Sequence, residues 1–118
     1  MSYKKNILIT GGAGFNPWNN GKMDNFYYVY ILVSEKDGKK YTGYTSNLPL
    51  RFEAHQAGKV PSTKHRRPLK LIYFEGCLTQ ADALKREKYL KTHYGKMFLG
   101  NRLKSYFTSQ EENNNIRK

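Results

Sequence analysis

The amino-acid sequence predicts an α+β fold of the broad α/β class, a small three-stranded antiparallel sheet flanked by helices. Three features predict it. Residues 26–33 and 39–44 are dense in aromatic and β-branched side chains and read as strands. Residues 35–38 separate them, and Asp37-Gly38 favours the positive φ of a tight turn, so the two strands form a hairpin. A third apolar run, residues 69–74, opens behind Pro68, and the remaining segments have helix start and stop signals.

In chain order, Ser46 or Asn47 can cap a helix running from Leu48 to about Ala57. Pro49 is tolerated in its first turn and Gly58 ends it. Residues 59–67 form a polar, basic loop before the third strand. Thr79 with Asp82 resembles a capping box for a long helix reaching about His93, which Gly95 breaks. A short helix over residues 96–106 closes the domain, and the tail 108–118, with Asn113, Asn114 and Asn115, is expected to be disordered.

Residues 1–25 differ in character. The stretch from Asn6 to Phe15 is a short apolar run entering a glycine turn. It resembles the start of nucleotide-sugar epimerases and dehydratases, whose glycines bring a helix N-terminus to a cofactor pyrophosphate. Gly11 and Gly14 fit that pattern, but Pro17 stands where the third glycine belongs, and Ile31 stands about 20 residues on, where an acidic residue would hold the ribose. No dinucleotide cofactor is expected. These residues are expected to be a disordered or extraneous leader, with Met23 as the natural first residue.

With 118 residues there is room for one domain, and 38% apolar residues suffice for a core. No run of about 18 apolar residues exists to span a membrane, and no secretory pattern is present. Cys77 is the single cysteine, so a disulfide within the chain and a thiolate zinc cluster are both excluded. A cytoplasmic protein is expected. Twenty-one Lys and Arg against nine Asp and Glu give a net charge of +12. The first 22 residues hold +3 and the residues from Thr108 onward are neutral, which leaves +9 on residues 23–107. Such a surplus on the folded part suits a polyanion, because each neutralised phosphate releases condensed counterions.

On the first helix Leu48, Arg51, Phe52 and His55 fall on one stripe, which places Arg51 and His55 where helix meets sheet. On the long helix Glu87 shares a face with Ala83, Leu84 and Leu90. A carboxylate there is costly unless an arginine or a divalent metal compensates it, although Glu87 can also pair with Lys91 one turn on. Lys64, His65, Arg66 and Arg67 form a basic loop able to grip phosphates without reading bases.

The hairpin contains Tyr28-Val29-Tyr30 and Tyr41-Thr42-Gly43. With Arg51 and His55 on the first helix and Glu87 on the long one, this ordered set resembles the motifs of the GIY-YIG nuclease family, over about residues 26–107. It is most similar to small stand-alone members, through Tyr41-Thr42-Gly43-Tyr44-Thr45-Ser46-Asn47-Leu48, the stretch from Arg67 to Tyr73, and Ala83-Leu84-Lys85-Arg86-Glu87-Lys88. Tyr28 replaces the motif's first glycine, Val29 its isoleucine and Thr42 the second isoleucine; Tyr30, Tyr41 and Gly43 are kept. The resemblance implies a metal-dependent endonuclease acting on nucleic acid, with DNA favoured over RNA. Glu87 would bind Mg²⁺ or Mn²⁺, and Tyr41 and Tyr30 would position or deprotonate the attacking water. Arg51 would stabilise charge on phosphorus, His55 would orient or relay a proton, and Gly43 would let backbone approach the site. The rival is a nucleic-acid-binding module with this fold and little catalysis.

Overall fold

The computed structural model describes residues 25–117; all of the expected leader but Asn25 lies outside them. Strand β1 (Tyr27–Ser34) is hydrogen-bonded on both edges, to β2 (Lys40–Thr45) and to β3 (Leu69–Cys77), giving a three-stranded antiparallel sheet of order β2-β1-β3. Its central place explains why Tyr28, Val29, Tyr30, Ile31 and Leu32 are all buried: both faces of this strand are covered, so no polar residue alternates with apolar ones. β3 runs three residues past the expected end at Phe74, because β1 offers ladder partners to Glu75, Gly76 and Cys77 through Val29, Tyr28 and Tyr27. A bulge between Ile31 and Leu32 shifts the register of that pairing.

Each face of the sheet has its own core. Tyr28, Tyr30 and Leu32 pack with Leu48 and Leu69, beneath helix α1 (Leu48–Gln56). Val29 and Ile31 pack with Ala83, Leu90 and Leu99 from helices α2 (Gln80–Leu90) and α3 (His93–Arg102). A fourth helix, α4 (Lys104–Arg117), follows directly. Local signals account for most of the boundaries. The Asn47 side chain accepts from Leu50 N–H at the start of α1, and Gly58 ends it at φ 77°. Thr79 accepts from Asp82 N–H at the start of α2.

Two expectations are corrected at the C-terminal end. The long helix stops at Leu90 and not at His93, and Gly95 is not the breaker. Thr92 starts the new helix, its hydroxyl accepting from Gly95 N–H at 3.1 Å. Gly95 is instead a packing glycine, since a Cβ there would collide with the Tyr89 carbonyl and the Leu90 backbone. The second correction concerns residues 108–117, expected as a disordered tail, which continue α4. No Gly or Pro follows Gly100 to stop the helix. Its first turn is held by Lys40 over the Phe107 ring and Lys70 over the Tyr106 ring, 4.9 and 5.3 Å from the centroids. Among the described residues no helix is long and apolar enough to cross a membrane.

Because the α2–α3 junction tolerates no Cβ at Gly95, Gly95→Ala is expected to lower stability by about 1–3 kcal/mol. A lower urea midpoint with an unchanged m-value would show it.

Candidate active site

Strand β1 presents Tyr30 to the α1 side of the sheet, and β2 lays Gly43 opposite it in register. The pairing requires glycine. A Cβ at position 43 would lie 2.5 Å from both Cζ and the hydroxyl of Tyr30, so the missing side chain is the space the phenol occupies. The sequence suggests that Gly43 admits backbone to the site; in the fold it admits the Tyr30 ring. Tyr41, two residues earlier on β2, faces the same side, its ring centroid 6.3 Å from that of Tyr30.

Helix α1 closes over these rings. Leu48 and His55 are fully buried, while Arg51 and Phe52 are half-buried, as the stripe predicts. The His55 ring stands edge-on to Tyr30 and Tyr41, at centroid distances of 5.6 and 5.2 Å. Its Nε2 lies 2.7 Å from the Tyr30 hydroxyl and its Nδ1 2.7 Å from Thr63 Oγ1. The guanidinium of Arg51 lies against the Tyr30 and Tyr41 hydroxyls, which hold its pKa above the usual arginine value. Its Nε is buried without a hydrogen-bond partner. A donor so desolvated costs about 1–3 kcal/mol. The guanidinium is therefore held in place by the fold at some expense.

The electrostatics follow from burial and from that one cation. Desolvation pushes the Tyr30 phenol up to about 12, with Arg51 opposing it and the charges of Tyr41 and Glu87 adding to it. Burial, then the Arg51 charge, pushes His55 down to about 4. Glu87, on α2, is thus close enough to be felt at Tyr30. Among the described residues, however, no hydrogen bond joins it to the four residues on the other face. Its carboxylate is bound to Lys91 Nζ at 2.9 Å, one helical turn on. Ala83 and Leu90 of its expected face are buried, but Leu84 is 42% exposed and belongs to the solvent side.

The basic loop is divided in its use. Lys64–Arg66 forms a 3₁₀ turn. Arg66 donates to Lys39 O at 2.9 Å and lies 3.7 Å from Asp37, which ties the turn to the hairpin. Arg67 donates to Lys64 O and Gln56 O across Gly58, where a Cβ would meet its guanidinium. These two cations are therefore engaged with backbone. Lys64, His65 and Arg67 nevertheless line an open concavity with Lys36, Gln56 and Pro68.

Residues 26–104 match the profile described as the GIY-YIG catalytic domain. The chain belongs to the GIY-YIG family. A UPF0213 protein of Staphylococcus haemolyticus (strain JCSC1435) is 46% identical over 67 residues, covering 56% of this chain and 80% of that protein. A UPF0213 protein of Staphylococcus aureus (strain Mu3) is 44% identical over 72 residues, covering 60% of this chain and 85% of that one. The solution NMR structure of a UPF0213 protein from Bacillus halodurans is 33% identical, with a TM-score of 0.41, covering 64% of this chain and 83% of that one.

Three features of this GIY-YIG chain escape the sequence. Thr63 is buried against His55, and Ser34 is buried where its hydroxyl donates to Arg66 O at 2.7 Å. Arg86 grips Glu75 on β3 with two bonds of 2.9 and 3.0 Å, and Tyr73 donates to the same carboxylate. Ser34 is the last residue of β1 and Thr63 lies in the loop before the 3₁₀ turn, so no periodicity exposes either. The third needs the register of β3 against α2.

The His55 environment has a pH consequence. An unfolded histidine titrates near 6.5, whereas His55 in the fold does so near 4. Between those values the unfolded chain binds more protons, so stability contributed by His55 is complete above about 6.5 and is lost as pH falls toward 4. Urea midpoints measured from pH 7 to pH 4 should fall with acid in the wild type, and less steeply in His55→Gln.

Proposed function

We propose that this chain is a metal-dependent endonuclease hydrolysing phosphodiester bonds in DNA or structured nucleic acid, working in the cytoplasm through the domain at residues 26–107. The observation that supports it most is the convergence of Tyr30, Tyr41, Arg51 and His55 on one sheet face, with Glu87 near enough to perturb Tyr30. Family membership makes nucleic acid the expected substrate, and the +9 carried by residues 23–107 suits it.

Arg51 is the electrostatic centre. A phosphate oxygen arriving beside the two phenols meets a guanidinium already held in position, which is where charge develops during attack at phosphorus. Tyr41, partly exposed on the edge strand, is suited to orient the attacking water. Tyr30 is the more buried phenol, and its raised pKa makes it a reluctant base unless donors stabilise its anion. His55 is neutral near pH 7 and acts as a hydrogen-bonding partner of Tyr30.

Glu87 is the carboxylate that would hold a cation here. Among the described residues no group of three or more His, Cys, Asp or Glu could cage a metal. A single carboxylate suits Mg²⁺ or Mn²⁺, which keep several waters and lean on substrate oxygens. When bound, such an ion supplies Lewis-acid stabilisation of a phosphate oxygen. The 20%-exposed Glu87 side chain must release Lys91 to take that part. That pair also favours the second reading, a nucleic-acid-binding module with little catalysis, in which Glu87 stays neutralised on its own helix.

Supercoiled plasmid and branched DNA incubated with Mg²⁺, Mn²⁺ or EDTA decide between the two. Nicking that requires metal and drops by at least about 100-fold in Glu87→Ala is the expected result. Equal nicking by that variant removes Glu87 from the site. Salt-sensitive binding with no cleavage establishes the binding module instead.

A further inference from the structure

Thr63 is completely buried, and among the described residues its hydroxyl has one hydrogen-bond partner, His55 Nδ1 at 2.7 Å. A threonine hydroxyl has one proton to give, and a donor left unmade inside a core is costly. Nδ1 is the acceptor within reach, and to accept it must hold no proton. The proton of the neutral imidazole then sits on Nε2, 2.7 Å from the Tyr30 oxygen, and is donated to it. The opposite tautomer would leave the Thr63 proton without an acceptor at a fully buried position. The tautomer assigned here instead turns the Tyr30 proton away from His55, the state from which that phenol most readily loses it. Arg51 has only donors to offer the same phenol oxygen.

We propose that Thr63 is a positioning residue that holds His55 as its Nε2–H tautomer, so that the Tyr30 oxygen receives a hydrogen bond from His55 beside the Arg51 guanidinium. The catalytic consequence rests on the endonuclease reading above. A donor on the phenol oxygen and a cation beside it favour its anion. Tyr30 first gives its own proton to solvent. The phenolate so held then takes one proton from the attacking water and returns to phenol, while the oxygen of that water forms its bond to phosphorus. The bond to the leaving oxygen breaks, and that oxygen takes a proton from solvent. His55 keeps its proton throughout and works as a donor, not as the base.

Long-range ¹H–¹⁵N NMR of the intact chain at pH 7 tests this, since it distinguishes protonated from unprotonated imidazole nitrogens. Burial keeps the His55 ring neutral at that pH, so one tautomer can be read. The wild type should show the proton on Nε2. Thr63→Val should move His55 toward the Nδ1–H form, and Thr63→Ser should restore the wild-type pattern. A wild-type proton on Nδ1, or an unchanged Nε2–H signal in folded Thr63→Val, overturns the assignment. The wild-type and Thr63→Ser spectra decide it even where Thr63→Val fails to fold. In plasmid nicking, Thr63→Val should lose about tenfold in kcat with KM unchanged, and Thr63→Ser should retain the rate. An unchanged kcat in Thr63→Val overturns the catalytic consequence. A wild type with the predicted tautomer and no nicking refutes the endonuclease reading while leaving the tautomer assignment standing.

Discussion

The burial of Tyr30 in the central strand is the constraint around which the rest of the molecule is arranged. The residue is 1% exposed, in a space that exists because β2 places Gly43 opposite it. A buried phenol needs a polar partner for its hydroxyl, and α1 supplies His55. A buried imidazole has a second nitrogen to satisfy, and the loop after α1 returns to supply Thr63. The path of residues 57–63 is thus set by a chain of hydrogen-bonding demands that starts at one tyrosine. Arg51, one helical turn before His55, is brought to the same phenol by the pitch of α1.

The sheet separates two kinds of work. On the α1 side polar groups are packed among aromatic rings, and there the fold accepts an unpartnered Arg51 Nε. On the α2 and α3 side the polar groups are well matched. Glu75 receives two bonds from Arg86 and one from Tyr73, and the Arg86 guanidinium also covers the Phe98 ring at 4.7 Å and the Tyr89 ring at 5.4 Å. Two-point binding of a guanidinium by a carboxylate fixes orientation as well as distance. It fixes α2 against β3, and Glu87 is the next residue on that helix. The well-satisfied side thus holds steady Glu87, the carboxylate that the proposed endonuclease would use.

Local chemistry makes much of this legible in the sequence. Asn47, Gly58 and Thr79 mark helix ends because capping depends on a few adjacent residues, and the helical spacing of the α1 stripe is enough to put Arg51 and His55 against the sheet. What stays hidden depends on partners far away in the chain. Thr63 meets a histidine eight residues earlier across a turn without periodicity. Arg66 and Arg67 look like free cations because their acceptors are backbone carbonyls, which every residue has and no sequence pattern marks. Gly95 reads as a helix breaker, yet the close contact of two helices uses it, and the break falls at Thr92. Spacing alone assigns Leu84 to the buried face, yet it lies 42% exposed on the solvent side of the helix.

The charge of the molecule has a structure of its own. Two of the four basic residues at 64–67 brace turns, so in the proposed nuclease their contribution to substrate binding would be field and not free hydrogen bonds. A field of this kind concentrates polyanions without choosing among sequences. On the endonuclease reading, selection then falls to what the Arg51 face can admit. That face presents one arginine beside two phenols, a group suited to phosphate and blind to base identity. An endonuclease built this way would recognise the backbone of its substrate, and any preference among nucleic acids would come from how their shape lets a phosphate reach Arg51.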